Sequence, residues 1–389
     1  MHKRHFTAAL LAVALAGSSG LALAQDNTFK IGLILPMTGP FASTGKQLEA
    51  GARLYMSQHG DTVAGRKVVL IVKDDTATPD ITKRLAQDLV VSEKVQVLAG
   101  FGLTPLAMTT APIATQSKTP MVVMAAATSI ITEASPYIVR SSFTVPQVVT
   151  TLADWASKNN IKKVVTLVTD YAPGVDSEKY FSQRFVANGG VVIESLRVPL
   201  RSPDFAPFLQ RVREAKPEAL FSFVPSGAGS VLMKQFSERG LDKAGIRLIA
   251  EGSVTDDDII NSMGDVALGT VTAHHYSAAH NSPLNRQFVE AFGKANNGDR
   301  PNFMAVGAYD GMRVIYEAAK LSRGVGGEAL LQAMKGQTFE SPRGPMTIDA
   351  QTRDVVHNIY IRTVEKTNGQ LWNKEIQTVT DVKDSGKSK

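Results

Sequence analysis

Cysteine is absent from the 389 residues, so the chain can form no disulfide and offers no thiol for a lipid anchor. Beyond the first two dozen residues no apolar run reaches membrane-spanning length. Blocks of one charge are missing too. The 42 Lys and Arg are spread among 36 Asp and Glu, which argues against nucleic acid as a partner. No G-x-x-x-x-G-K-S/T, no G-x-G-x-x-G after a strand, no G-x-S-x-G and no H-E-x-x-H occurs. The adjacent His274 and His275 would point to opposite sides of a strand, a poor metal pair, with one packed and one exposed. Asp256-Asp257-Asp258 reads as a helix cap and dipole partner, and Asp74-Asp75 as a solvated strand end. No metal or cofactor is expected.

What is present begins with MHKRHF, a short apolar core interrupted by Gly17 to Gly20, and Ala22-Leu23-Ala24. That is the form of a cleaved secretory signal peptide over residues 1–24, and the expected destination is the periplasm. Cleavage removes Lys3 and Arg4, lowering the formal charge from +6 by two to +4 over 389 minus 24, or 365, residues. A chain of that length exceeds the roughly 250–300 residues at which one core stops growing, so two domains are expected. Disorder is expected only in the polar tail, residues 383–389.

Residues 95–129 organise the rest. They read as an apolar run, a turn, a helical segment and a second apolar run, the pattern of two buried parallel strands in a βαβ unit. Ligands in such sheets sit beyond the carboxyl ends of the strands. Those ends carry Leu103 and Thr104, then Ala126 to Ser129. Thr104 before Pro105, and Thr128-Ser129 before Ile130, are helix-start signals whose free N–H groups and hydroxyls favour a carboxylate. The same threonines also read as plain caps, and the sequence leaves both roles open. The turn at 36–45 leaves the same sheet edge, which brings Phe41 and Thr44 toward the same ligand.

Strands are predicted at 29–35, 67–73 and 137–143 around this unit. The pattern then restarts near 143 with a helix at 147–159. Strands at 163–168, 191–197, 219–224 and 247–250 alternate with helices, again a parallel sheet covered on both faces. The run at 270–277 leads back toward the first half, followed by helices at 283–295 and 304–321. Short strands at 346–349, 358–364 and 375–379 close the chain, the last two joined at Asn368-Gly369.

Leu35-Pro36-Met37-Thr38-Gly39-Pro40, Ala126-Ala127-Thr128-Ser129, Thr169-Asp170-Tyr171-Ala172-Pro173-Gly174 and Gly264-Asp265-Val266-Ala267-Leu268-Gly269 follow in order. With these the chain resembles, over residues 26–382, the leucine/isoleucine/valine-binding family of periplasmic solute-binding proteins of ABC importers. The resemblance implies the type I periplasmic binding fold: two α/β lobes, each a doubly wound parallel sheet, joined by a three-segment hinge. Lobe 1 is expected at 26–143 and 277–348, lobe 2 at 144–276 and 349–382. It implies a monomeric carrier without enzymatic activity, which closes over a small carboxylate-bearing solute and delivers it to a membrane permease.

By the same resemblance, Thr104 (or the Leu103 backbone), Ala126 and Thr128 hold the carboxylate. Tyr171, Pro225, Ser226 and Glu251 face it from lobe 2, Glu251 meeting a substrate ammonium, and Tyr276 completes the set. A branched-chain or other hydrophobic amino acid is the expected solute. Thr44, Pro173 and Pro225-Ser226 stand where amino-acid binders carry aromatics, which implies a wider pocket and makes an aromatic acid the alternative. A sensor domain for a signalling partner is the alternative role.

Overall fold

The computed structural model describes residues 27–201 and 203–387; the predicted signal peptide at 1–24 lies outside them. The first stretch alternates strand and helix: β1 (Thr28–Leu35), α1 (Ala42–His59), β2 (Thr62–Val63), β3 (Arg66–Asp74), α2 (Pro79–Val91), β4 (Val97–Gly100), α3 (Thr104–Ser117), β5 (Met121–Val123) and β6 (Ile138–Arg140). The second repeats the pattern: α4 (Val145–Lys158), β7 (Lys163–Thr169), α5 (Ala172–Ala187), β8 (Val191–Val198), α6 (Ala206–Ala215), β9 (Ala219–Phe223), α7 (Gly229–Glu238), β10 (Arg247–Glu251), α8 (Ile260–Met263) and β11 (Val271–His274). Then come α9 (Pro283–Ala295), α10 (Phe303–Leu321), α11 (Gly327–Met334), β12 (Thr338–Ser341), β13 (Gly344–Ile348), β14 (Val355–Thr367) and β15 (Gln370–Val382).

Two sheets result, one per lobe. The first has the order β2-β3-β1-β4-β5-β6, and the second β12-β13-β14-β11-β10-β9-β7-β8 with β15 on β14. Pairing from β3 through β6 is parallel, as is pairing from β8 through β11. Period-two alternation divides β9 between two apolar cores: Ala219, Phe221 and Phe223 face one, Leu220 the other. Both faces of that strand are therefore covered, which is why it is apolar apart from Ser222, whose buried hydroxyl donates to the Leu167 carbonyl (2.9 Å). The Asn368-Gly369 hairpin forms as the dipeptide predicts, with both residues at positive φ (50° and 79°) between the paired Thr367 and Gln370.

The late chain departs from expectation. The run at 270–277 contains β11, an inner strand between β10 and β14. The strand expected at 346–349 is β13, and it joins the second sheet by pairing Met346 with His357 and Ile348 with Val355. The tail expected to be disordered is docked as far as Lys387. The Ser129 hydroxyl donates to Asp384 Oδ2 (2.6 Å), and Lys387 Nζ donates to Thr132 Oγ1 (2.6 Å) while pairing with Asp354 (3.2 Å) and Glu133 (3.3 Å). A charged tail orders here because it finds a buried counter-charge.

That counter-charge belongs to a larger knot. Arg140 at the end of β6 is buried and pairs through Nε with Asp354 Oδ1 (2.9 Å). Its other nitrogens donate to the carbonyls of Phe143 (3.0 Å) and Thr128 (2.8 Å). Removing one partner of a buried pair strands the other charge. Asp354→Asn is therefore expected to destabilise the protein by about 3–5 kcal/mol. Urea unfolding checks this, and a loss under about 1 kcal/mol would count against it.

Candidate functional site

A cavity lies where the carboxyl ends of the two sheets face each other. From lobe 1 it is lined by Thr44 in the first turn of α1, Leu103 and Thr104 at the start of α3, Ala126 beyond β5, and Phe303 and Met304 opening α10. Lobe 2 supplies Tyr171, Phe223, Pro225, Ser226, Glu251 and Ser253, and Phe143 stands at the crossover. The space open to the centre of a water-sized sphere is about 40 Å³. Widened by the 1.4 Å water radius, a sphere of that size encloses roughly 180 Å³, room for one ring or one branched side chain with its acid group.

The two threonines do not cap helices through their side chains. Leu103 occupies the cap position of α3, and neither Leu103 nor Thr128 makes a side-chain cap bond. The Thr104 and Thr128 hydroxyls bond each other instead (2.8 Å, buried). Thr104 lines the cavity and Thr128 stands behind it, so Thr128 orients the Thr104 hydroxyl. The Ala126 N–H is committed to the Phe101 carbonyl (3.0 Å).

On the facing wall Glu251 is fully buried at the end of β10. Its Oε2 accepts from the Ser253 N–H (3.1 Å) and lies against the Ser253 hydroxyl. That hydroxyl also lies 2.7 Å from the Val224 carbonyl. A serine has one proton to give. Its hydroxyl therefore serves either the Glu251 carboxyl or the Val224 carbonyl at one time. Burial pushes the Glu251 pKa up to about 7, against the opposing pull of Ser253 and the positive Arg362. Oε1 is buried without a hydrogen-bond partner, His274 Nδ1 being 3.5 Å away.

Of the residues singled out from sequence, Thr44, Leu103, Thr104, Ala126, Tyr171, Pro225, Ser226 and Glu251 meet in this cavity. Three do not line it. Phe41 packs with Ala77, Leu103 and Leu106, against Tyr171 and Leu200 of lobe 2. Thr128 is the support just described, and Tyr276 is buried with its hydroxyl donating to Asn285 Oδ1 (3.1 Å). Sequence reasoning missed Phe143, Phe223 and Phe303. With Tyr171, 6.1 Å from Phe223 between ring centres, they give the cavity aromatic walls.

Three local readings of acidic and histidine residues are corrected. His274 and His275 are both fully buried, because β11 is an inner strand and Phe143 stacks on His275 (4.7 Å) while Phe303 packs on His274 (4.3 Å). The Asp256 to Asp258 run caps no helix. Asp257 accepts from Asn373 Nδ2 (3.0 Å) and Ala278 N (3.2 Å), and Asp258 accepts from Asn302 Nδ2 and Ser43 Oγ (both 3.0 Å), tying lobe 2 to lobe 1. Asp75 is buried, bonded to Ala77 N and Thr82 Oγ1, with burial raising its pKa to about 6. Its neighbour Asp74 holds the loop after β1 through Met37 N (2.9 Å) and Thr38 Oγ1 (2.6 Å).

A model of the periplasmic binding protein family matches residues 28–370. The chain belongs to that family. It is similar to the Leu/Ile/Val-binding protein homolog 6 of Brucella melitensis, at 44% identity over 383 residues and 97% of each chain. Among solved structures it resembles a solute-binding protein of an ABC transporter from Rhodopseudomonas palustris BisB5 in complex with 3,4-dihydroxybenzoic acid. Identity there is 59%, the TM-score 0.91, and the match covers 93% of this chain and 100% of that one. A leucine-binding protein of Thermotoga maritima shares the fold at 23% identity and a TM-score of 0.79, over 91% of this chain and 99% of that one. This periplasmic binding protein is the solute-binding component of an ABC transporter, built as two type I lobes. No helix among the described residues is long and apolar enough to cross a membrane.

The Glu251 proton has a measurable consequence. Between its ordinary value of 4.5 and about 7 the folded protein holds that proton and the unfolded chain does not. The group therefore subtracts stability as pH rises across that window, by up to about 3 kcal/mol. Other buried groups titrate nearby, so the difference between variant and wild type isolates this one. Urea unfolding at pH 5 and pH 8 is expected to show Glu251→Gln gaining on wild type at the higher pH. Parallel pH profiles would refute the assignment.

Proposed function

We propose that this protein captures a hydroxylated aromatic carboxylate in the periplasm and hands it to an inner-membrane permease. It acts as a carrier rather than an enzyme, and as a monomer. The carrying observation is the lining: Phe143, Tyr171, Phe223 and Phe303 give the cavity aromatic walls, and among them stands Glu251, a buried acid with its pKa raised to about 7 and its Oε1 without a hydrogen-bond partner. A phenolic hydroxyl donates to such an oxygen without demanding that it ionise. Offset or edge-on packing of the ligand ring against Phe143, Tyr171, Phe223 and Phe303 adds stabilisation beyond simple burial. At the other end of the cavity Thr104, fixed by Thr128, meets the carboxylate.

The solutes of the relatives divide. The Rhodopseudomonas structures contain 3,4-dihydroxybenzoic acid and, in a second protein 39% identical, p-hydroxybenzoic acid. The Brucella relatives carry Leu/Ile/Val-binding names, which favours a second reading, a branched-chain amino acid. In that case Glu251 would ionise against the ammonium.

Capture proceeds by closing the lobes, divided near residues 143 and 277 and, since β12 and β13 join the second sheet, before Thr338, with the Asp258 bonds to Ser43 and Asn302 fastening the closed form. A solute that binds the closed form better shifts the population toward it. Calorimetry separates the readings: 4-hydroxybenzoate is expected to bind and leucine to be inert, and the reverse would overturn the proposal. Thr104→Val keeps the shape but removes a hydrogen bond to a charged group, worth about 1.5–3 kcal/mol, so affinity should fall roughly ten- to a hundredfold.

A further inference from the structure

The carboxyl-terminal segment leaves lobe 2 and ends on lobe 1. β15 belongs to the second sheet, and the carbonyl of its last residue, Val382, accepts from Gln147 Nε2 of α4 (2.8 Å). Residues 384–387 then lie against the short 3-10 helix Ser129–Glu133 of lobe 1. A turn folds the segment on itself, the Gly386 N–H donating to Asp384 Oδ1 (2.7 Å). The other oxygen of Asp384 takes the Ser129 hydroxyl. The Lys387 side chain is only 8% exposed, and burying an ammonium is unfavourable unless it is paired. It finds Thr132 and Glu133 on lobe 1 and Asp354 at the start of β14.

The seat of this segment is shared between the lobes. Ser129 also donates its N–H to Asp176 Oδ2 (3.4 Å) of α5, the lobe 2 helix that begins just after Tyr171 of the cavity wall. Gly386 is wedged into that seam. A methyl group on it would come within 2.8 Å of both the Ser129 and Tyr180 hydroxyls and within 3.0 Å of Pro146 Cγ. Ser129 stands on lobe 1, whereas Tyr180 and Pro146 stand on α5 and α4 of lobe 2. The segment therefore has its complete set of partners only while the two lobes are together. Its anchor is also next in sequence to Thr128, whose hydroxyl orients Thr104.

We propose that residues 384–387 act as a strap on the closed form, so that solute affinity includes the docking of the protein's own carboxyl terminus. The inference rests on capture by lobe closure, as proposed above, and adds this segment to it. The solute need not touch the strap. Coupling of this kind is reciprocal: the factor by which the docked strap strengthens solute binding is the factor by which solute strengthens docking.

The experiment compares the full mature chain with a chain ending at Val382 and with Lys387→Gln, using 4-hydroxybenzoate and leucine. For whichever solute wild type binds, calorimetry is expected to show affinity about tenfold lower in the shortened chain, the worth of one hydrogen bond to a charged group. Lys387→Gln should show a smaller loss in the same direction. A readout on wild type alone stands beside these variants. Trypsin cuts after Lys383, whose side chain is 72% exposed, only when the residues that follow leave their seat, so cleavage samples the undocked population. Saturating solute should slow release of residues 384–389, followed by mass spectrometry, by a like factor. Unchanged affinity in the shortened chain, or equal release with and without solute, would overturn the strap and leave closure intact. Solute binding without a smaller radius of gyration in small-angle scattering would overturn closure itself. Failure of both solutes to bind would overturn the reading of the site on which the strap rests.

Discussion

A single buried ion pair, Arg140 with Asp354, is where the architecture converges. Arg140 ends the last strand of the first sheet, and Asp354 stands immediately before β14 of the second. The guanidinium also holds the Thr128 carbonyl on the ligand loop and the Phe143 carbonyl at the first crossover. Lysine from the tail adds a second cation to the same carboxylate. Desolvating so many charges is unfavourable unless each finds its geometry, so this arrangement contributes uniqueness more than net stability. With that point fixed, the loop carrying Thr128 has one position, and Thr104 takes its orientation from it.

The same economy of charge shapes the opposite wall. Arg362 is buried in the second sheet and donates to the Gly252 and Tyr276 carbonyls and to Thr272. It bears on Glu251 and, with Arg300, on Asp257. Four acids, Glu251 and Asp256 to Asp258, crowd this region, more than two arginines can neutralise. Burial raises the pKa of each, and for Asp256 and Asp258 the neighbouring acids raise it further.

Much of the fold was legible because periodicity is local. β1 and β9 announce themselves as apolar runs, and Asn368-Gly369 fixes its hairpin by backbone preference alone. The site was legible where turns follow strand ends, which brought out Thr104, Tyr171 and Glu251. It was not legible where function depends on tertiary partners. Thr104 before Pro105 has every mark of a cap, yet its hydroxyl belongs to Thr128, 24 residues on. Asp258 reads as a cap by its neighbours, but its partner Ser43 is 215 residues away. Phe223 and Phe303 look like core residues in sequence, since an aromatic lining a cavity and one filling a core satisfy the same local pattern.

The docked tail has a practical side. Asp384 and Lys387 lie against Ser129 and Thr132, next to the loop that carries Thr128. Anything appended after the tail, an affinity tag or a fluorescent protein, would pull on the ligand loop and on both lobes. The start of β1 is different. Thr28 lies seven residues, about 23 Å of extended strand, from the ligand edge at Leu35. An optical reporter of solute capture built on this chain would carry its responsive label at the carboxyl end and its inert anchor at the amino end.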